Sequence, residues 1–162
     1  EADSCNRRRF FRIFRALQEF YIAAPFRIQN ICKMLPLLFL KELVALVKGE
    51  KRCVISVLSA RVGSIEDNRL GGWYSYRASK AALNMLVKTA AVEYERRAKN
   101  VRFLLFHPGT VDTNLSKPFQ SKSSTKLMQP SEVAMSLIQL MDRSDTDSNI
   151  EFIDWEGKKI NW

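Results

Sequence analysis

The chain has 162 residues, of which 46% are hydrophobic and 27% charged, and it carries a formal net charge of +9. This length suits one ordinary domain, so we expect a single domain over residues 1–162. The composition excludes a disordered, core-poor chain. The longest apolar run, 34–40, is interrupted by Pro36 and is far shorter than the roughly 20 residues of a membrane-spanning helix, so no membrane span is expected.

The positive charge is concentrated in a basic amino-terminal segment, residues 1–15, where arginines are interleaved with apolar side chains. These arginines are Arg7, Arg8, Arg9, Arg12 and Arg15. A solvated helix face is the plain interpretation. The alternatives are the remnant of an organelle transit segment, a membrane-surface helix and a nucleic-acid arm, although a nucleic-acid partner is not expected.

The cysteines, Cys5, Cys32 and Cys53, are too few and too scattered for a disulfide framework or a zinc site. We therefore expect no metal and a reducing, cytoplasmic location. The Arg-rich start keeps organelle targeting open as the alternative.

The predicted elements begin with two or three helical pieces between Phe10 and about Val47, punctuated by Pro25 and Pro36. A short β-branched run, Cys53–Leu58, is typical of a strand buried on both faces. A loop of small and polar residues follows at 59–72.

The next segment has the strongest helical pattern in the chain. Its expected buried side holds Ala78, Ala81, Ala82, Leu83, Leu86, Ala90 and Tyr94. Its end is basic, where cations suit the negative end of the helix dipole. The tryptophans, Trp73, Trp155 and Trp162, are expected to be packing residues, and the single histidine, His107, a structural one.

Two further buried strands are predicted at 101–106 and 150–155, separated by a polar loop at 112–129 and another helix. Ser131 is the predicted N-cap of that helix. Its expected buried stripe is Val133, Leu137, Ile138 and Met141. The alternation of strands and helices predicts an α/β fold, a partial doubly wound, Rossmann-like parallel sheet with helices on both faces.

The long helix carries a pair with chemical potential, Tyr76 and Lys80. Residues four apart project from one helix face, so both side chains can reach a common site. A fixed cation stabilises a phenolate, which makes the tyrosine usable as a proton donor or acceptor near neutral pH. The same spacing is common in helices that have no catalytic role.

The surroundings of this pair resemble the short-chain dehydrogenase/reductase family. The stretch 74–84 reads YSYRASKAALN, and the preceding SARVGSIEDNRLGG is similar to the branch of C-factor-like proteins and related carbonyl reductases. HPGTVDTNLSKPF from His107 resembles the family's Pro-Gly turn, and FIDWEG from Phe152 resembles its closing strand. The resemblance covers about two thirds of the chain in the right order.

The resemblance implies roles for several residues. Tyr76 is the general acid/base at the substrate oxygen, and Lys80 stabilises the phenolate and holds the cofactor ribose. The residues implied to border the nicotinamide are Pro108, Gly109, Val111 and Thr113. The cofactor is NAD or NADP, with NADP slightly favoured, and the substrate is a small carbonyl or alcohol bound under the loop 114–126. Members often pair subunits through the helix of Tyr76, so a homo-oligomer is one open expectation.

Two positions depart from the family pattern. Where the family has two serines, the second of which orients the substrate oxygen, this chain has Ser59 and Ala60. Ser59 is our choice for that role, with Ser64 as the other candidate. The asparagine of the family's proton relay aligns with Tyr21, shortly before Pro25, so a relay through that side chain is not expected.

A third departure concerns the cofactor. A tight glycine turn after the first strand is needed for the pyrophosphate, yet the first glycine here is Gly49 and no suitable spacing follows it. We therefore expect that this chain by itself does not hold the dinucleotide. Two functions follow as hypotheses: an NAD(P)-dependent oxidoreductase represented by its catalytic part, or a degenerate dehydrogenase-like structural or binding subunit that uses its basic arm.

Overall fold

The computed structural model describes residues 38–114, 116–117, 127–143 and 148–162. All of them fall in one compact unit, Pro36–Trp162. The basic segment 1–15, Tyr21, Pro25 and residues 118–126 lie outside the described residues, so the expectations placed on them, like that of a single domain over 1–162, stay predictions.

Three helices and three strands alternate along the described chain. They are α1 (described from residue 38 and ending at residue 47), β1 (Cys53–Leu58), a 3-10 turn (Arg61–Gly63), α2 (Tyr74–Arg97), β2 (Val101–His107), α3 (Pro130–Arg143) and β3 (Ile150–Asp154). The bounds of β1 are as predicted. Strand β2 runs one residue further than expected, and β3 ends one residue earlier.

The strands form one parallel sheet in the order β1-β2-β3. Leu58 lies opposite Phe106, and His107 lies opposite Asp154. All three carboxyl ends therefore meet at one edge, where open α/β sheets bind their ligands. The predicted α/β fold with a parallel sheet is confirmed.

Alternating strand residues divide the core into two layers. Ile55, Phe103, Leu105 and Phe152 pack with apolar side chains of α1 and α2. On the other face, Leu104, Phe106 and Ile153 pack with Val133 and neighbouring apolar residues of α3. The helices thus cover both faces of the sheet, as predicted.

The buried face of α2 is rotated from the one expected. Leu83, Ala90 and Tyr94 are buried as predicted, whereas Ala78 and Ala82 are exposed. The buried set is Ser79, Lys80, Leu83, Asn84, Val87, Ala90, Ala91 and Tyr94. The prediction counted only apolar positions and missed that the first half of this face is polar.

Helix α3 begins at Pro130, so the prediction of Ser131 as its N-cap is wrong. Proline suits the first helical position because it has no N–H to leave unpaired. The Glu132 carboxylate accepts a hydrogen bond from the Gln129 N–H at 2.8 Å, which satisfies a donor at the helix start. Leu137 and Met141 pack on the sheet as expected, together with Leu140.

Candidate active site

A row of polar side chains ends the α2 layer of the core at the carboxyl edge of the sheet. Val57, Leu105 and Phe152 are the last apolar strand residues that pack under α1 and α2. Two positions further along each chain segment, on the same face of the sheet, are Ser59, His107 and Asp154. The Ser59 N–H donates to Phe106 O at 2.8 Å, which continues the β1–β2 ladder to this level. Three elements thus bring one polar residue each to the same edge.

Tyr76 and Lys80 lie above this edge, in the first two turns of α2. Lys80 is buried, and its Nζ donates to Leu58 O at 3.4 Å, at the end of β1. Tyr76 is 46% exposed, and among the described residues its hydroxyl makes no hydrogen bond. The helix therefore presents a buried ammonium and an accessible phenol on one face, because the two residues are four positions apart.

Burial moves the pKa values of both groups. The pKa of Lys80 falls from its ordinary 10.5 to about 8, because burial disfavours the charged amine. Burial raises the pKa of Tyr76, although nearly half of its surface is exposed. At neutral pH the lysine is still protonated and the phenol is a proton donor. The raised pKa of Tyr76 is the opposite of the lowered pKa that a neighbouring cation is expected to cause.

Ser59 is buried and bonded to α2. Its Oγ donates to Asn84 Oδ1 at 2.5 Å, so its proton is already engaged. The other serine candidate, Ser64, is also buried, and its Oγ accepts a hydrogen bond from the Asp67 N–H at 3.0 Å. Ala60, which lies between these two serines in the sequence, is also buried. Both hydroxyls therefore support the loop after β1.

An ion pair ties that loop to β3. The Arg61 guanidinium donates to Asp154 Oδ2 at 2.9 Å and lies 3.6 Å from Asp67 Oδ2. Asp154 Oδ1 accepts hydrogen bonds from the N–H groups of Glu156 and Lys158 at 3.0 and 2.9 Å. The buried carboxylate is thus well satisfied, and it holds both the start of the loop and the turn after β3.

His107 lies between Ser59 and Asp154 in the polar row. Its pKa is lowered to about 4, chiefly because burial disfavours the charged ring; Arg61 and, less strongly, Lys80 also lower the pKa, whereas Asp154 and Asp67 raise it. The imidazole is therefore neutral at pH 7. The structural role expected for His107 thus includes keeping this edge free of additional positive charge.

The turn after β2 holds the positions that the resemblance assigns to the nicotinamide. Gly109 has φ +71, and a Cβ there would lie 2.8 Å from two ring atoms of Trp155, so glycine is required. Val111 pairs with Met128 in a short parallel bridge. The Thr113 carbonyl accepts the Ser116 N–H at 3.1 Å. Pro108, Gly109, Val111 and Thr113 are all partly buried.

A strained turn precedes α2. Gly71, Gly72 and Trp73 have φ of 62, 67 and 48, and a left-handed conformation is unfavourable for a tryptophan. Arg77 braces the turn by donating to the carbonyls of Gly71 and Gly72, and its guanidinium carbon lies 5.9 Å from the centroid of the Trp73 ring. Trp73 is 60% exposed, so its expected packing role is wrong.

The other two tryptophans do pack. Trp155 joins the α3 layer, and the Trp162 ring lies 5.9 Å from that of Phe152. Sequence reasoning missed Asn84, Arg61 and Asp154 as parts of the site. The available signal was their position: Asn84 continues the spacing of Tyr76 and Lys80 along α2, and Asp154 ends a buried strand.

Within the described ranges, no set of three or more His, Cys, Asp or Glu side chains is grouped so that it could hold a metal ion. No helix in the same ranges is long and apolar enough to cross a bilayer.

The parallel sheet, its two helical layers and the residues at its carboxyl edge define a Rossmann-like α/β protein. The model of the family described as short chain dehydrogenase matches residues 37–124, more than half of the chain. The chain therefore belongs to the short-chain dehydrogenase family, a family of oxidoreductases.

Curated relatives agree with this assignment. A 1-hydroxy-2-glutathionyl-2-methyl-3-butene dehydrogenase from Rhodococcus sp. (strain AD45) is 35% identical over 108 residues, which cover 67% of this chain and 46% of the relative. The C-signal protein of Myxococcus xanthus is 33% identical over 120 residues, covering 74% of this chain and 67% of C-signal. The match to C-signal supports the C-factor-like branch. This chain spans about half the length of the Rhodococcus enzyme.

Solved structures share the fold. The NADPH-bound carbonyl reductase from chicken fatty liver superposes with a TM-score of 0.58 at 26% identity, covering 85% of this chain and 54% of the reductase. A short-chain dehydrogenase/reductase from Burkholderia multivorans with bound NADP has a TM-score of 0.68 at 24% identity and covers 86% of this chain and 58% of its own.

Proposed function

We propose that this chain carries the catalytic part of an NAD(P)-dependent oxidoreductase that interconverts carbonyl and alcohol groups, with Tyr76 as the general acid/base. The observation that supports this most is the placement of an accessible phenol and a buried ammonium on one face of α2, above the carboxyl ends of a parallel sheet. Ligands of such sheets bind at this edge.

Tyr76 exchanges a proton with the substrate oxygen. Because burial raises its pKa, the phenol is protonated at neutral pH and is ready to donate, which favours carbonyl reduction. Lys80 is also protonated below pH 8, so its ammonium stabilises the phenolate left after the proton is donated. The pair thus supplies a proton and then a compensating charge.

The residues present suit one end of a nicotinamide dinucleotide. The left-handed turn at Gly109 packs its backbone against the Trp155 ring, and we propose that Pro108, Gly109, Val111 and Thr113 border the nicotinamide while Lys80 holds the ribose. The dinucleotide supplies or takes the hydride when bound. The glycine turn for its pyrophosphate is not in this sequence, where the first glycine is Gly49. The chemistry is the same for NAD and NADP, and the NADP or NADPH of the solved relatives favours the phosphorylated form.

Ser59 remains the candidate that orients the substrate oxygen. Its hydroxyl donates to Asn84 Oδ1, so Ser59 can donate to the substrate oxygen only if it gives up this hydrogen bond. We expect Ser59→Ala to lower kcat more modestly than loss of Tyr76, because the acid/base group itself is retained.

The test is hydride transfer with NADPH and NADH against a panel of small aldehydes and ketones. The proteins are this chain and the longest natural chain that contains it, each as wild type, Tyr76→Phe and Tyr74→Phe. Tyr74 is the matched control because it lies two residues away and is 86% exposed. We expect Tyr76→Phe to lose activity and Tyr74→Phe to keep it; equal activity in all three would remove Tyr76 from the mechanism.

A second candidate is a dehydrogenase-like subunit that binds an acidic partner without catalysis. It is favoured by Ala60, which stands where the family has a hydroxyl, and by the net charge of +9. Retention on an anionic matrix that falls with salt, and that is lost on neutralising Arg7, Arg8 and Arg9, would support this candidate. Retention that does not depend on salt would count against it.

A further inference from the structure

Two buried polar atoms at the carboxyl edge make no hydrogen bond to any protein atom of the described residues. They are Asn84 Nδ2 and His107 Nδ1. Asn84 is 3% exposed, so its amide cannot turn to bulk water. A buried amide group without a partner is unfavourable, and ordered internal waters commonly satisfy such buried polar groups.

Both residues neighbour Ser59, Asn84 from α2 and His107 from β2. Asn84 lies over Ser59, since their side chains meet at 2.5 Å. The β1–β2 register pairs Leu58 with Phe106, so the next residue, Ser59, lies opposite His107 on the neighbouring strand. Adjacent strands lie about 4.8 Å apart, a spacing that one water molecule bridges readily.

Donor and acceptor chemistry then fixes the arrangement. Asn84 Nδ2 can only donate. His107 is neutral at pH 7, so one ring nitrogen carries the proton and the other can accept. A water that accepts from Asn84 and donates to His107 satisfies both atoms if the histidine proton is on Nε2.

We propose that Asn84 Nδ2 and His107 Nδ1 bind one internal water molecule, and that this water makes His107 a positioning residue for the face of α2 that carries Tyr76 and Lys80. Two contacts then join the carboxyl edge of the sheet to α2: the Ser59–Asn84 hydrogen bond and the water. Both reach α2 at Asn84, eight residues after Tyr76. The catalytic significance rests on the proposed function, whereas the water site itself does not.

The test is magnetisation transfer from water to the Asn84 side-chain amide in the ¹⁵N-labelled chain, with the His107 tautomer read from long-range ¹H–¹⁵N couplings. His107 is the only histidine, so its ring signals need no deconvolution. The matched variants are His107→Asn, which places a polar atom near the Nδ1 position, and His107→Gln, which places one near Nε2.

We expect a dipolar water contact to Asn84 in the wild type, the Nε2–H tautomer, retention of the contact in His107→Asn and its loss in His107→Gln. An Nδ1–H tautomer, no water contact in the wild type, or equal contacts in both variants would overturn the proposal. Should either variant fail to fold, the two wild-type measurements decide alone. None of these measurements depends on turnover. The activity of Tyr76→Phe therefore tests the proposed function separately from the water site.

Discussion

Gly63 lies against Lys80 so closely that a Cβ on the glycine would be 2.8 Å from both the carbonyl carbon and the Cβ of the lysine. The 3-10 turn after β1 therefore sets how deeply α2 seats on the sheet edge. Gly63→Ala should destabilise the fold by about 1–3 kcal/mol, because backbone rather than a flexible side-chain end must move. Chemical denaturation measures this. Gly49→Ala is the control, since nothing lies within 4 Å of its added methyl group; equal losses in the two variants would contradict the close seating.

The strained turn before α2 predicts a stabilising substitution. Trp73 has φ 48 and is 60% exposed, and it makes no side-chain cap hydrogen bond at the start of α2. Asparagine adopts this left-handed conformation more readily than tryptophan does, so Trp73→Asn should raise the free energy of unfolding by about 1 kcal/mol despite the loss of the Arg77 contact. Tyr74→Asn, one residue on, should bring no gain. A destabilised Trp73→Asn protein would show that the indole contributes more than its exposure indicates.

His107 should make stability depend on acid. Its pKa is lowered from 6.5 to about 4 in the folded chain, so between these values the unfolded chain binds a proton that the folded chain does not. Stability is therefore lost as pH falls from about 6.5 towards 4, by on the order of 2–3 kcal/mol. Unfolding of the wild type and His107→Asn across pH 4 to 7 measures this as the difference between the two curves. Parallel curves would mean that the histidine does not carry the effect.

Lys80 should set the alkaline limit of carbonyl reduction. Its pKa of about 8 means that the ammonium is lost as pH rises through that value, and with it the stabilisation of the phenolate. We expect kcat/KM to fall above about pH 8 in the wild type and to hold in Lys80→Arg, whose guanidinium stays charged. Lys88→Arg, on the exposed side of α2, should keep the wild-type profile. If kcat/KM of Lys80→Arg also falls above about pH 8, a group other than Lys80 causes the alkaline loss of activity.

Much of the fold could be predicted from local patterns, because β-branched runs such as Cys53–Leu58 and the long pattern of α2 have periodicities that survive packing. The rotation of α2 could not, because Lys80 and Asn84 are polar residues on a buried face. The ion pair of Arg61 with Asp154 joins positions 93 residues apart in the sequence, and only the sheet brings them together. That Tyr76 and Lys80 share one helix face could be predicted because their spacing is local, whereas the row of Ser59, His107 and Asp154 depends on strand register.

The measurement closest to the central claim is a double-mutant cycle on the rate of hydride transfer in a single turnover, with wild type, Tyr76→Phe, Lys80→Met and the double variant of the longest natural chain. If the phenol and the ammonium act as one unit, Tyr76→Phe lowers the rate by about 10²- to 10⁴-fold and the double variant falls little further. Rate losses that multiply, or a Tyr76→Phe protein as fast as the wild type, would contradict the account.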